Sequence, residues 1–247
     1  MRFSPLPRIV LILLTIFTVL ALVAPLPFAI VLPGQAQNIF EKIITVKNQE
    51  SYPATGRLDL MSIRVTNPNT WLIGPEIIYS WLKADEAVYP RAAIYPDGTT
   101  QESENKQAKA DMVGSQDNAT TAALSFLRLH PEYGITADNL HVNNITFDVK
   151  KTGGPSGGMV FAIGVIELLT KKDLLHGRHI AGTGTISTDG KVGPIGGINE
   201  KIRAAQKAGA TLFLAPADNR EDVAHTPDGI HVVIVSTLEQ AISALNN

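Results

Sequence analysis

Lys151-Thr152-Gly153-Gly154-Pro155-Ser156-Gly157-Gly158 and Val192-Gly193-Pro194-Ile195-Gly196-Gly197-Ile198-Asn199-Glu200-Lys201 are the two glycine turns whose reading decides the fold. The first presents one serine ahead of Met159 to Leu169, a run apolar nearly all round that reads as a buried helix. The second delivers one lysine into a helix over Ile198 to Ala208, with Gly209 as its stop signal. In that helix Ile198, Lys201, Ile202, Ala205 and Ala208 follow the spacing of a buried stripe, while Glu200, Arg203 and Lys207 fall on the solvated side. Lys201 is thus a lysine on an apolar face. Burial disfavours its charged form and favours a neutral amine near pH 7, which is what a general base requires.

A serine hydroxyl is a weak nucleophile until a nearby base takes its proton. Backbone N–H groups at a helix start can hold a developing oxyanion, so the turn Gly154, Pro155 and Gly157 around Ser156 is the candidate oxyanion site. Thr183, on the strand leading to the lysine turn, can accept a hydrogen bond from the amine. Each feature has a plainer reading when taken alone. Ser156 could simply cap a helix, Lys201 could lie along apolar surface with its tip in water, and Thr183 could be ordinary strand sequence.

Working outward, strands are expected at His141 to Val149, Arg178 to Ile186, Thr211 to Leu214 and His231 to Val235, with a hairpin turn at Asp189-Gly190. Helices are expected at Asn118 to Leu129, with an apolar stripe of Ala119, Ala122, Ala123 and Phe126, and at Leu238 to Leu245. Alternating strands and helices after residue 118 indicate an α/β (α+β) domain, assigned to residues 113–247. Residues 33–112 form a β-rich segment with strand patterns around Ile43 to Val46 and Leu58 to Val65. Pro75 to Leu82 reads as a short helix whose Tyr79 and Trp81 are expected to pack in a core, and Gln101 to Asp111 as a charged, solvated stretch.

Upstream lies the apolar run Ile9 to Leu32, long enough for a membrane-spanning helix that Pro25 and Pro27 kink or end. Arg2 and Arg8 precede it and no basic cluster follows. The positive-inside rule therefore places residues 1–8 in the cytoplasm, a lipid-embedded anchor at 9–32, and the remainder outside the cell membrane. A cleaved signal peptide with Gly34-Gln35-Ala36 at its cleavage site is the competing reading, and both export the domain.

Composition narrows the chemistry. The 247 residues are 45% hydrophobic with a net charge of -2, ample for a packed core and without the basic block that nucleic acid would need. With no cysteine there is no disulfide framework, thiol catalysis or thiolate-bound metal. The six histidines form no HExxH or short-spaced pair, so neither a metal nor a cofactor is expected.

The two turns resemble the proteolytic domain of Lon-type serine proteases, which use a Ser–Lys dyad. Gly154-Pro155-Ser156-Gly157-Gly158 matches that family's Gly-Pro-Ser-Ala-Gly turn with glycine in place of alanine, and Pro194 to Lys201 matches its lysine run throughout. Thr183-Gly184 matches the family's Thr-Gly, and agreement continues through Ala204-Ala205, Ala208-Gly209-Ala210 and Leu214-Ala215-Pro216-Ala217. The resemblance implies a ribosomal protein S5 domain 2-like fold, Ser156 as nucleophile, Lys201 as base, Thr183 in support, and protein or peptide substrates. It also allows homo-oligomeric assembly. Tyr52 to Leu60, Ala87 to Arg91 and Ser115 to Ala119 are similar to membrane-anchored bacterial members of the family that carry a PDZ domain. Leu129 to His141 leaves no room for that domain, so capture of substrate in its peptide-binding groove is not expected. No Gly-x4-Gly-Lys-Ser/Thr occurs, so cleavage without ATP of exposed segments is expected.

Two other readings compete. Gly154 to Gly158 also satisfies the Gly-x-Ser-x-Gly of an α/β-hydrolase esterase, with Asp218 or Asp222 and then His225 or His231 to complete a triad. The other is an anchored scaffold of the same fold without catalysis.

Overall fold

The computed structural model of the chain describes residues 7–41, 43–135, 144–149, 152–223 and 226–246. In chain order the elements are α1 (Arg8–Val23), β1 (Phe28–Asn38), β2 (Ile44–Val46), β3 (Arg57–Val65), α2 (Gly74–Leu82), β4 (Ala87–Pro90), α3 (Arg91–Ile94) and α4 (Gln101–Leu129). There follow β5 (Ile145–Phe147), α5 (Gly158–Leu169), β6 (His179–Gly182), β7 (Thr185–Ile186), β8 (Val192–Gly193), α6 (Ile198–Lys207), β9 (Leu212–Pro216), β10 (His231–Val235) and α7 (Leu238–Leu245). The architecture is mixed α/β, as the alternation of patterns after residue 118 implies.

The chain forms two compact units, Met1–Leu32 with Val65–Gln101, and Pro33–Arg64 with Glu102–Asn247. This division departs from the expected one at residue 112, because 33–64 supplies strands to the larger unit. In the larger unit the sheet order is β10-β9-β6-β3-β1. β3, β6, β9 and β10 are mutually parallel, with Leu58↔Ile180↔Leu212↔His231 in register. Parallel strands covered on both faces read as continuous apolar runs, and alternate residues enter two separate cores. Leu58, Leu60, Ile180, Leu212 and Leu214 face α4, α5 and α7. Met61, Ala181, Phe213 and Ala215 face α6. The polar exception is Asp59, fully buried and held between Arg57 Nε and His179 Nε2, each at 2.8 Å.

Two short antiparallel ladders complete the unit: β2 with β5, and β7 with β8 as the hairpin predicted at Asp189-Gly190. The strand expected at His141 to Val149 is described only in part, because residues 141–143 lie outside the described residues. β10 and α7 coincide with their predicted spans. α4 does not. It is one helix of 29 residues that takes in the stretch read as solvated. Its first half is rich in good helix formers, with Glu102 and Glu104 in the first turn where the helix dipole favours them. That half buries almost nothing, so no apolar stripe marks it. The stripe Ala119, Ala122, Ala123 and Phe126 is buried as read.

In the smaller unit, β1 pairs antiparallel with β4, Phe28↔Pro90 through Val31↔Ala87. Ile30, Leu72 and Ile77 form a small core with Leu26, Phe28, Leu32 and Val88 around it. The expected spanning helix over 9–32 is corrected here. α1 is 16 residues long and ends at Val23, and Phe28 onward is strand. Pro25 and Pro27 account for the break, since neither can donate a backbone N–H and each restricts the residue before it. No helix among the described residues is long and apolar enough to cross a membrane. The core assignment of two aromatics is corrected as well: Tyr79 is 61% and Trp81 67% exposed.

Candidate active site

Thr183 follows the last residue of β6. Its N–H donates to Leu214 O at 3.1 Å, which continues the parallel pairing and fixes the strand end. Its hydroxyl donates to Ser156 O at 3.1 Å, and Gly184 N–H donates to the same carbonyl at 2.8 Å. Met159 N–H returns a bond to Gly184 O at 3.1 Å. The serine turn is therefore laced to the end of β6. Helix α4 holds its other side, with Ser115 Oγ donating to Pro155 O at 3.0 Å and Gly154 N–H to Ala108 O at 2.8 Å. The approach is close enough that a Cβ on Gly158 would lie 3.0 Å from Ile186 N, which is why a glycine starts α5.

Ser156 stands ahead of that helix but does not cap it. Gly157 is the N-cap residue, and no side-chain capping bond is made. Of the turn residues read as an oxyanion site, Pro155 has no N–H to offer and Gly154 N–H is taken by Ala108 O. This corrects the assignment for those two. Of the three, Gly157 carries an N–H that these bonds leave out.

Lys201 arrives from the opposite face. Gly197, with φ of 68°, starts α6 in the left-handed region that favours glycine, and Lys201 N–H donates to Gly197 O at 3.1 Å. The lysine side chain is 2% exposed. Its Nζ donates to Ser156 Oγ at 2.9 Å and to Thr183 Oγ1 at 3.1 Å. Because the Thr183 proton is directed at Ser156 O, its oxygen is left to accept from the amine. Burial alone lowers the Lys201 pKa from 10.5 to about 7. Ile198, Ile202 and Ala205 are buried beside it, as the stripe predicts. Glu200, read as solvated, is buried too. Its carboxyl is pushed above the usual range by that burial, and its Oε2 has no hydrogen-bond partner among the described residues.

Two clefts meet at Ser156. One, of about 640 Å³, is walled by Gly34, Gln35, Ser62 and Arg64 on one side and by Thr152 to Ser156 on the other, with Lys201 at its floor. The second, of about 320 Å³, runs between Pro155, Thr185 and Pro194 to Gly196. Pro155, Ser156 and Gly196 line both. Gln35 N–H donates to Ser62 Oγ at 2.9 Å, a side-chain bond on the cleft wall that no sequence pattern marked. Ser115 and Ala108 were equally invisible as supports, since nothing in a helix sequence shows which turn it will brace.

Among the described residues, the esterase constellation that would use His231 is not assembled. Asp222 Oδ2 accepts from Asn219 Nδ2 at 2.8 Å. His231 is in register with Ile180, while Thr183 lies three residues, roughly 10 Å, farther along the sheet. His225 and Lys151 lie outside the described residues. No group of three or more potential metal ligands occurs among the described residues.

The family model described as Lon protease (S16) C-terminal proteolytic domain matches residues 105–245, more than half of the chain. Among similar proteins, the Lon protease of Trichlorobacter lovleyi is 31% identical over 159 residues, which is 60% of this chain and 19% of that protein. Lon protease 1 of Bacillus subtilis is 33% identical over 131 residues, 49% of this chain and 16% of that protein. The Lon protease of Desulfosudis oleivorans is 36% identical over 115 residues, 44% of this chain and 14% of that protein. The chain thus matches less than one fifth of the length of these relatives.

Proposed function

Since the chain belongs to the family of the Lon protease (S16) C-terminal proteolytic domain, we propose that it is a serine endopeptidase in which Ser156 is the nucleophile and Lys201 the general base. The observation that carries this reading is a buried amine, its pKa lowered to about 7, placed 2.9 Å from a serine hydroxyl at the meeting of two clefts. In its neutral form the amine takes the Ser156 proton as Oγ attacks the scissile carbonyl carbon. The carbonyl oxygen becomes an oxyanion beside the Gly157 and Ser156 N–H groups. Collapse breaks the C–N bond, and the Lys201 ammonium returns its proton to the leaving amine, giving an acyl-enzyme and a new N-terminus. A water then gives its proton to the Lys201 amine and attacks the ester carbonyl, and as the C–O bond breaks the Lys201 ammonium returns that proton to Ser156 Oγ and the second product leaves. Thr183 holds Nζ on line between these steps.

Cleavage of an unstructured protein, followed against pH, tests the proposal. The active form is the deprotonated one, so the rate is expected to rise through an apparent pKa of about 7 and level off above it. Labelling of Ser156 by a fluorophosphonate should follow the same curve. A serine-dependent rate that stays flat from acid to alkali would remove Lys201 from its role as base.

The location is a separate proposal. Helix α1 is apolar from Ile9 to Val23, buries none of its residues, and carries Arg8 at its start. These features support a role as a lipid-embedded anchor, with residues before Arg8 in the cytoplasm and the peptidase outside. Its 16 residues span roughly 24 Å against a hydrocarbon layer of about 30 Å. Such a shortfall is met by local thinning of the bilayer. The substrates on this reading are exposed segments of extracytoplasmic proteins. Full-length chain that leaves the membrane fraction on alkaline washing would contradict the anchor.

A further inference from the structure

We propose that helix α2 and the segment before it form an interfacial docking face that rests in the headgroup layer of a lipid bilayer; this rests on α1 being the anchor. α2 reverses the usual logic of a surface helix, in which the arc turned to water is polar. At 100° per residue, Trp81, Ile78, Leu82, Pro75 and Tyr79 occupy one continuous arc. Ile78 is 55% exposed, Trp81 67% and Leu82 81%. Ile77 and Ser80, on the other side, are buried. The one charged residue on the helix is Glu76, whose Oε2 is occupied by the Ile73 N–H at 3.0 Å. Trp71, just ahead, is 73% exposed. A monomeric protein in water rarely presents so large an uncharged face without a partner for it.

Two observations identify lipid as that partner. The first is chemistry. The exposed set mixes tryptophan and tyrosine with aliphatic side chains, and Lys83 Nζ, paired with Glu86 Oε1 at 2.7 Å, lies 4.4 Å from the centre of the Tyr79 ring. Rings with a polar edge next to a cation suit the boundary between acyl chains and headgroups. The second is continuity with the anchor. A Cβ on Gly74, the first residue of α2, would lie 3.6 Å from Ala21 O, near the end of α1, and Leu26 bridges to Leu72. The aromatic face therefore begins where the apolar helix would leave the hydrocarbon. A short anchor gains from such a collar, because the interfacial helix sets the depth at which α1 sits.

Trp71 and Trp81 are the only two tryptophans of the chain, so emission reports on this face alone. The experiment takes full-length Trp71→Phe chain in phosphatidylcholine–phosphatidylglycerol vesicles, with bromine placed on the acyl chain either near the glycerol or near the chain end. The expected result is flotation with the vesicles and stronger quenching of Trp81 by the shallow bromine than by the deep one. Aqueous iodide should quench weakly. Adding Ile78→Asp and Leu82→Asp should open Trp81 to iodide while flotation through α1 persists. Flotation with Trp81 open to iodide from the start overturns the docking face and leaves the anchor standing. Shielding from both iodide and bromine that varies with protein-to-lipid ratio points to a second copy on this face, and also overturns it. Failure to float removes the anchor and the inference together.

Discussion

Replacing Lys201 with methionine is expected to lower the rate of peptide hydrolysis by about 10³-fold or more, within the range found for loss of a general base, and to make the protein more stable. Ser156→Ala should cause a similar loss, and the double variant should be scarcely worse than either, because the two groups act as one unit. Lys201→Arg should be as inactive as the methionine variant, since a guanidinium does not give up its proton. The stability change has the opposite sign for a definite reason. The Lys201 pKa falls from 10.5 to about 7 on folding, so between these values the unfolded chain binds more protons than the folded one. Stability from this group therefore rises with pH across that window and is lowest below pH 7. Each pKa unit corresponds to about 1.4 kcal/mol, which puts the gain for methionine at neutral pH on the order of a few kcal/mol, shrinking as the pH approaches 10. Unfolding in denaturant at two pH values measures it. Activity within tenfold of wild type in the methionine variant would end the base assignment.

Phe161→Ala should lower stability by about 3–5 kcal/mol, the usual cost of truncating a buried phenylalanine. The ring is fully buried on α5 and meets Phe147 of β5 with centroids 5.2 Å apart. Its edge also underlies the serine turn, where a Cβ on Gly157 would come within 3.0 Å of it. The cavity would open beneath Gly157, whose N–H is proposed to face the developing oxyanion. Turnover should therefore fall further than the folded fraction explains. Phe161→Leu, which keeps most of the volume, should cost far less on both counts. A loss below about 1 kcal/mol for alanine would mean that the site collapses to fill the space.

Much of this fold could be read from the chain, and the failures have identifiable physical causes. Leu212 to Pro216 is apolar at every step because both faces of the parallel sheet are covered there, and the apolar run Val232 to Val235 beside it is half-buried to buried; runs of that kind are hard to mistake. Lys201 was legible because an ionisable side chain stands where helical periodicity calls for an apolar one. Glu200 was misread because periodicity assumes one buried arc. The start of α6 is enclosed on a second side, so Glu200 and Ala204 are buried as well. The apolar run from Ile9 hid a change of element, since its hydropathy continues across Pro25 and Pro27 while its backbone geometry does not. Tyr79 and Trp81 were assigned to a core on residue type alone, which cannot tell a side chain packed in an interior from one left on the surface. The distance between Ser156 and Lys201 was beyond any local pattern. It depends on β6 carrying Thr183 to the serine turn, a long-range pairing that only the assembled sheet creates.

The lowered pKa of Lys201 has no charged neighbour behind it. Its cause is the exclusion of water. Dissolved ions weaken interactions between charges, with a screening length of about 8 Å near physiological ionic strength, but they cannot rehydrate an enclosed amine. A base tuned by an adjacent cation would drift with every change of salt. In the proposed dyad the base is set by packing, so its working pH range is expected to belong to the fold and to hold between dilute and saline surroundings.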